Sequence, residues 1–229
     1  SMSDANLIAQ GTLNPDLGMN DARWLVAMYA CLKRDPQASM HVRDLHFPSF
    51  APIPSPPADR KVSAGSQAAQ RAAWKEVMYD RQMTKEELDY ALKKLGEALL
   101  PLQDSWSHAG VPSVHSYFRL TTCDNQLAWG HPGEWDSHNA DLTYLNQNAA
   151  KEAASRTYDF LTLFRQGHSQ VIHHDAFSWK DLESKVEDFV QADTKHAKRD
   201  WFIRNGFSNG DLDFLNDIYL PDSKPIQNH

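Results

Sequence analysis

Between Thr84 and Leu102 apolar residues return every third or fourth position: Leu88, Ala91, Leu92, Leu95, Leu99 and Leu102. That period matches an α-helix and sets all six on one stripe, so the segment is a helix that other elements must cover. Thr84 followed by Glu87 is the pattern of a capping box and marks the start. Pro101 predicts a kink, or the start of a new helix, because its ring carries no N–H and crowds the preceding turn. Directly beyond it, "LLPLQDSWSHAG" carries Asp104 and His108 four positions apart. On a helix they share a face and can reach one point.

The rest of the chain reads as helix and loop. Asn20 or Asp21 can cap "DARWLVAMYACLK", where Trp24, Leu25, Met28 and Leu32 recur at helical spacing until Asp35-Pro36 ends the run. The Ala-rich stretch from Ala64 to about Met78 is a strong helix former. A long helix is expected from about Leu142 to Phe164, with two or three shorter ones up to Leu220. Strand-like alternation is scarce, and "HSYFRLTT" is its best candidate. The expected fold is all-α: a helical bundle, residues 1–229 forming one domain, with about 1–20 and 221–229 peripheral or frayed. Two irregular segments complete it. "HFPSFAPIPSPPADR" holds five prolines between positions 48 and 57 and reads as an extended surface loop, open to a protein partner that takes proline-rich ligands. The second, bounded by Gly110, Pro112, Gly130, Pro132 and Gly133, is an irregular loop rich in histidine and acidic residues.

Composition narrows the function classes. At 41% hydrophobic and 23% charged, the 229 residues are ordinary for a globular chain. No run approaches the roughly 20 apolar residues of a membrane-spanning helix, and the start lacks the basic-then-apolar layout of a signal peptide. The expectation is a protein cytoplasmic where it is made, with export by a route that needs no signal peptide left open. A net charge of −7 provides no basic field for a stable nucleic-acid complex. A phosphodiester substrate is not excluded, because a bound cation reverses the local potential. Cys31 and Cys123 make no disulfide framework and read as free thiols. Phosphate-cradling glycine loops and nucleophile elbows are absent from the sequence.

The chain holds 11 histidines, and their placement carries more than their number. Asp104 and His108 are followed within a short span by "WGHPGEWDSHNAD", which adds His131, Glu134, Asp136, His138 and Asp141. Upstream, "RDPQASMHVRDLHFP" adds Asp35, His41, Asp44 and His46. A helix delivering two ligands, with a glycine-rich loop folding back to deliver more, suits zinc, which takes imidazole and carboxylate. The plainer reading is that Asp104 pairs locally and the histidines lie on a loop surface. Trp106, Trp129 and Trp135 flank these positions and can wall a pocket or simply pack. "HHD" at 173–175 splays its neighbouring side chains apart, and "DTKHAKRDWFIR" puts Lys195, Lys198 and Arg199 together in what reads as a solvated helix face.

His46-Phe47, then "QDSWSHAG" over 103–110, then Gly130-His131 with an acidic residue close behind, resemble the zinc-dependent phospholipase C family. That all-helical superfamily also holds single-strand-specific nucleases and bacterial relatives with a "QDS-aromatic-SHAG" core. The similarity runs from about Asp35 to Asp141. It implies that His46 and Asp104 join one metal cluster, with Asp35 or Asp44 as the earlier acidic ligand. His108 and His131 would bind a second ion, completed by Glu134 or Asp136, and His138 with Asp141 would match the "GH…PD" ending of the bacterial relatives. Leu100 stands where phospholipase-type members carry a histidine, and no histidine precedes His41, so the resemblance implies one or two zinc ions rather than three. The expected activity is hydrolysis of a small-molecule or lipid phosphoester by metal-activated water, with Glu134, Asp136 or Asp141 as general base. A family member that has lost turnover and acts as a binding module, or an effector toxin of the same fold, is the alternative.

Overall fold

The computed structural model describes residues 4–10, 44–46, 48–51, 55–78, 83–110, 142–169, 172, 177–216 and 220. Helices dominate them: α1 (Gln67–Val77), α2 (Lys85–Ser107), α3 (Gln147–Gly167), α4 (Trp179–Gln191) and α5 (Lys195–Arg204), with 3-10 turns at Pro57–Arg60 and Asn209–Asn216. Among the described residues there is no β-strand, and the fold is all-α as expected. The helical run expected before Asp35, "HSYFRLTT", the "HHD" stretch and both cysteines lie outside the described residues.

Each helix starts where its capping chemistry allows. Thr84 Oγ1 accepts from the Glu87 N–H, and the Glu87 carboxylate accepts from the Thr84 N–H, closing the capping box of α2. Ser178 and Asp181 repeat the device on α4. Hydrogen bonds from the Ser178 hydroxyl and N–H hold the Asp181 carboxyl below its ordinary value. Helix α1 begins at Gln67 rather than near Ala64, because residues 63–66 form a tight turn. The Ser66 N–H bonds Ser63 O at 3.1 Å, and Gly65, at φ +59°, occupies the left-handed third position that glycine fills without strain. Ser66 Oγ then caps α1 by accepting from the Ala69 N–H.

Helix α2 is the central element. It packs against α1 and α3, and α3 also meets α1 and α4. Leu88, Leu92, Leu95, Leu99 and Leu102 are buried on the stripe anticipated from their spacing, and Leu95 and Leu102 are wholly inaccessible. Ala69 and Ala73, also 0% exposed, let the α1 backbone approach closely. Phe160 and Phe164 of α3 complete the cluster, and Trp74 stands edge-on to Phe160 at 5.1 Å. Removing one such leucine side chain from water is worth about 1.5–3 kcal/mol, so burial across α2 outweighs local defects.

Pro101 is one of those defects, and the helix does not restart there. Helix α2 runs unbroken for 23 residues with Pro101 inside it. An interior proline costs about 3 kcal/mol, but Leu99, Leu100 and Leu102 are all buried beside it and hold the helix together across the lost bond.

Two further expectations are corrected. The proline-rich segment is not purely surface: Pro48, Ser55 and Arg60 are buried, and its end coils into the 3-10 turn at Pro57–Arg60. The basic stretch on α5 is not a solvated face either. Lys195 Nζ donates to Asn216 O, Arg199 donates to Leu212 O, and Lys198 is only 4% exposed. These long side chains serve as hydrogen-bond donors to backbone carbonyls where α5 meets the 209–216 turn and the end of α4, a partnership that charge counting along the sequence does not reveal.

Candidate metal centre

The final turns of α2 carry Asp104 and His108, the latter being the C-cap, whose N–H reaches back to Asp104 O. Their four-residue spacing within the helix does what the sequence reading expects of it: His108 Nε2 lies 3.9 Å from Asp104 Oδ2. The third member comes from far along the chain. His46, on a helical turn at residues 44–46, places Nδ1 2.6 Å from Asp104 Oδ2. As a carboxylate Asp104 offers only acceptors, so Nδ1–H donates, and in the neutral imidazole Nε2 is then the nitrogen that carries the lone pair. His46 and His108 are each 8% exposed, and Asp104 is partly buried.

His46, Asp104 and His108 each offer one donor atom within 4.8 Å of the other two, which makes them a possible metal-binding triad. The donor set suits a divalent cation: imidazole nitrogen is a borderline ligand and carboxylate oxygen a hard one, a mixture that first-row ions accept, and three protein donors leave room for water or substrate. In a tetrahedral zinc site with bonds near 2.0–2.1 Å, neighbouring donors sit about 3.3 Å apart. The His108–Asp104 separation needs only a small rotation to meet that. The 2.6 Å His46–Asp104 contact is a hydrogen bond, the arrangement by which a carboxylate fixes the tautomer and orientation of a metal-binding imidazole.

The other expected site residues are distributed differently. Asp44 shares the turn with His46 but is exposed and stands outside the triad. Asp35, His131, Glu134, Asp136, His138 and Asp141 lie outside the described residues, as do Trp129 and Trp135. Leu100 is buried, 5% exposed, one turn before Asp104. Trp106 is a packing residue: its Nε1–H donates to Glu152 of α3, and its ring covers Gly65 so closely that a Cβ there would lie 2.9 Å from the indole.

Among the buried polar groups, His168 and Lys198 carry no signal of their burial in the sequence. His168 is the C-cap of α3, 2% exposed, stacked on Phe164 with ring centroids 4.1 Å apart, its Nδ1 2.7 Å from Phe164 O. Lys198 donates to Thr143 Oγ1 at 2.8 Å and to Phe189 O, with its ammonium 3.7 Å from the Phe189 ring centre. Burial pushes the Lys198 amine from 10.5 down to about 8, and Asp193 opposes the shift. In sequence each looks like an ordinary polar residue near a helix end, with no local pattern that marks it as buried. None of the described helices is long and apolar enough to cross a membrane. No family model, no curated protein and no solved structure matches the chain.

Proposed function

We propose that the protein is a metal-dependent hydrolase of phosphoesters, with zinc as the ion, on the phospholipase C-like plan that its sequence resembles. The observation that carries the reading is the meeting of His46 with Asp104 and His108 across 58 residues of chain at the buried end of α2. Burying two imidazoles and a carboxylate together is costly unless they pair with one another or coordinate a metal, and this donor set is arranged to do both. A bound zinc ion supplies Lewis acidity toward a phosphoryl oxygen and lowers the pKa of water from about 15.7 toward 7. His46 and His108 hold the ion through ring nitrogens, and Asp104 either joins them or keeps the His46 ring turned toward it. Glu134, Asp136 and Asp141 are the candidate bases, and His131 and His138 the candidate further ligands. The negative net charge of the chain is no obstacle, because the cation itself attracts the phosphate.

A second reading, a family member that binds the ion but has lost turnover, is favoured by one observation. Leu100, buried where phospholipase-type members carry a histidine, has no atom able to ligate.

Metal analysis of protein purified without added metal, followed by a phosphodiesterase and phospholipase panel, separates the two. The hydrolase reading expects about one or two zinc ions per chain and turnover lost in both Asp104→Ala and His131→Ala. Zinc without turnover favours the binding module. A wild-type protein that takes up no divalent ion at micromolar concentration refutes both.

A further inference from the structure

The last turn of α2 is held from outside by a short strap. The Gly65 N–H donates to Ser105 Oγ at 2.9 Å, the Gly110 N–H donates to Val62 O at 2.9 Å, and the six-membered ring of the Trp106 indole occupies the space where a Cβ on Gly65 would stand. Ser105, 0% exposed, also donates its hydroxyl to Leu102 O at 2.6 Å. The strap is itself fastened: Gln70 Nε2 donates to Gly65 O at 2.6 Å, while Gln70 Oε1 accepts from Arg156 of α3 at 2.7 Å.

At about 100° per residue, Asp104 and His108 stand about 40° apart on the helix, with Ser105 about 100° from Asp104 and Trp106 about 200° from it. The strap therefore grips the flank and back of the turn whose front carries the two donors. A C-terminal helical turn otherwise frays, because its last carbonyls lack intrahelical partners. Fraying here would swing His108, the C-cap, away from Asp104.

We propose that Ser105 is a positioning residue of the cation site: its hydroxyl, clamped between Gly65 N–H and Leu102 O, sets the rotation of the turn that presents Asp104 and His108. The inference rests on the metal-site reading above. Ser105 does not touch the ion. It determines how much rearrangement binding requires; groups bonded directly to a metal ligand commonly change affinity by about 10–100-fold, and Ser105, which acts through the helix backbone, belongs at the lower end of that range.

The test uses cobalt(II) as the probe, because its visible absorption reports ligand number and geometry while titration reports affinity. Ser105→Ala is expected to weaken cobalt binding about tenfold relative to wild type and to alter the visible bands, with the helical content of the metal-free protein unchanged. Gln70→Ala, which loosens the strap from its far side and keeps a good helix former in α1, is expected to weaken binding about threefold. If Ser105→Ala does not fold, Gln70→Ala alone decides. Wild-type affinity and spectrum in the variant that folds overturn the positioning role and leave the metal site standing. A wild-type protein that binds no cobalt at all overturns the site and the positioning role together.

Discussion

Lys198→Met tests how the α4–α5 junction is held. Burial lowers the Lys198 amine from 10.5 to about 8. A lowered lysine pKa means that the folded state holds the proton less tightly than the unfolded chain, so folding is penalised wherever the unfolded chain is protonated. The penalty is complete below about pH 8, and stability rises with pH until the unfolded lysine also deprotonates near 10.5. The shift of about 2.5 corresponds to about 3 kcal/mol in full, of which about 2 kcal/mol falls between pH 8 and 10. Methionine fills similar space without a charge and removes that slope. It also leaves Thr143 Oγ1 and Phe189 O without this donor, which lowers the stability of the variant by a roughly constant amount. Urea unfolding of both proteins at pH 7.5, 8, 9 and 10 separates the terms, since tyrosines and the other lysines titrate alike in both. Wild type should gain about 2 kcal/mol on the variant from pH 8 to 10. A difference that stays flat within about 0.5 kcal/mol refutes the argument that burial, rather than solvated charge, governs this lysine.

Leu95→Ala, at a position with no exposed surface in the middle of α2, should cost about 2–5 kcal/mol in urea unfolding, with the m-value unchanged if the native fold persists. Thr84→Ala removes one half of the α2 capping box and should cost about 1 kcal/mol, whereas Thr84→Ser, which keeps the acceptor, should cost much less; equal losses would contradict the cap. Zinc at one hundred times its dissociation constant should stabilise the wild type by about 2.7 kcal/mol in a thermal melt and Asp104→Ala by less than about half of that; an equal shift in both would place the ion elsewhere. Gly65→Ala should move Trp106 fluorescence and lower the melting temperature, since its Cβ would meet the indole and its φ of +59° disfavours any side chain.

A sequence determines best what repeats locally. The leucine stripe of α2, its Thr84–Glu87 start and the shared face of Asp104 and His108 follow from 3.6 residues per turn and from the hydrogen-bonding reach of single side chains, so the spacing alone predicts them. The continuity of α2 through Pro101 belongs to another class, because buried leucines on both sides override a local preference and no short window contains that balance. The burial of Lys198 is similar: its acceptors lie on Thr143 and Phe189, and only the packing of α5 against α4 and the 142–146 turn brings them to it.

The candidate metal centre divides along the same line. The spacing of α2 supplies two of its donors, but a distant His46 becomes the third only when the chain returns across 58 residues to the end of that helix. Residue type and periodicity are properties of neighbours along the chain and survive in the sequence. Convergence, burial and the strap that steadies the last turn are properties of neighbours in space, and tertiary packing alone decides them.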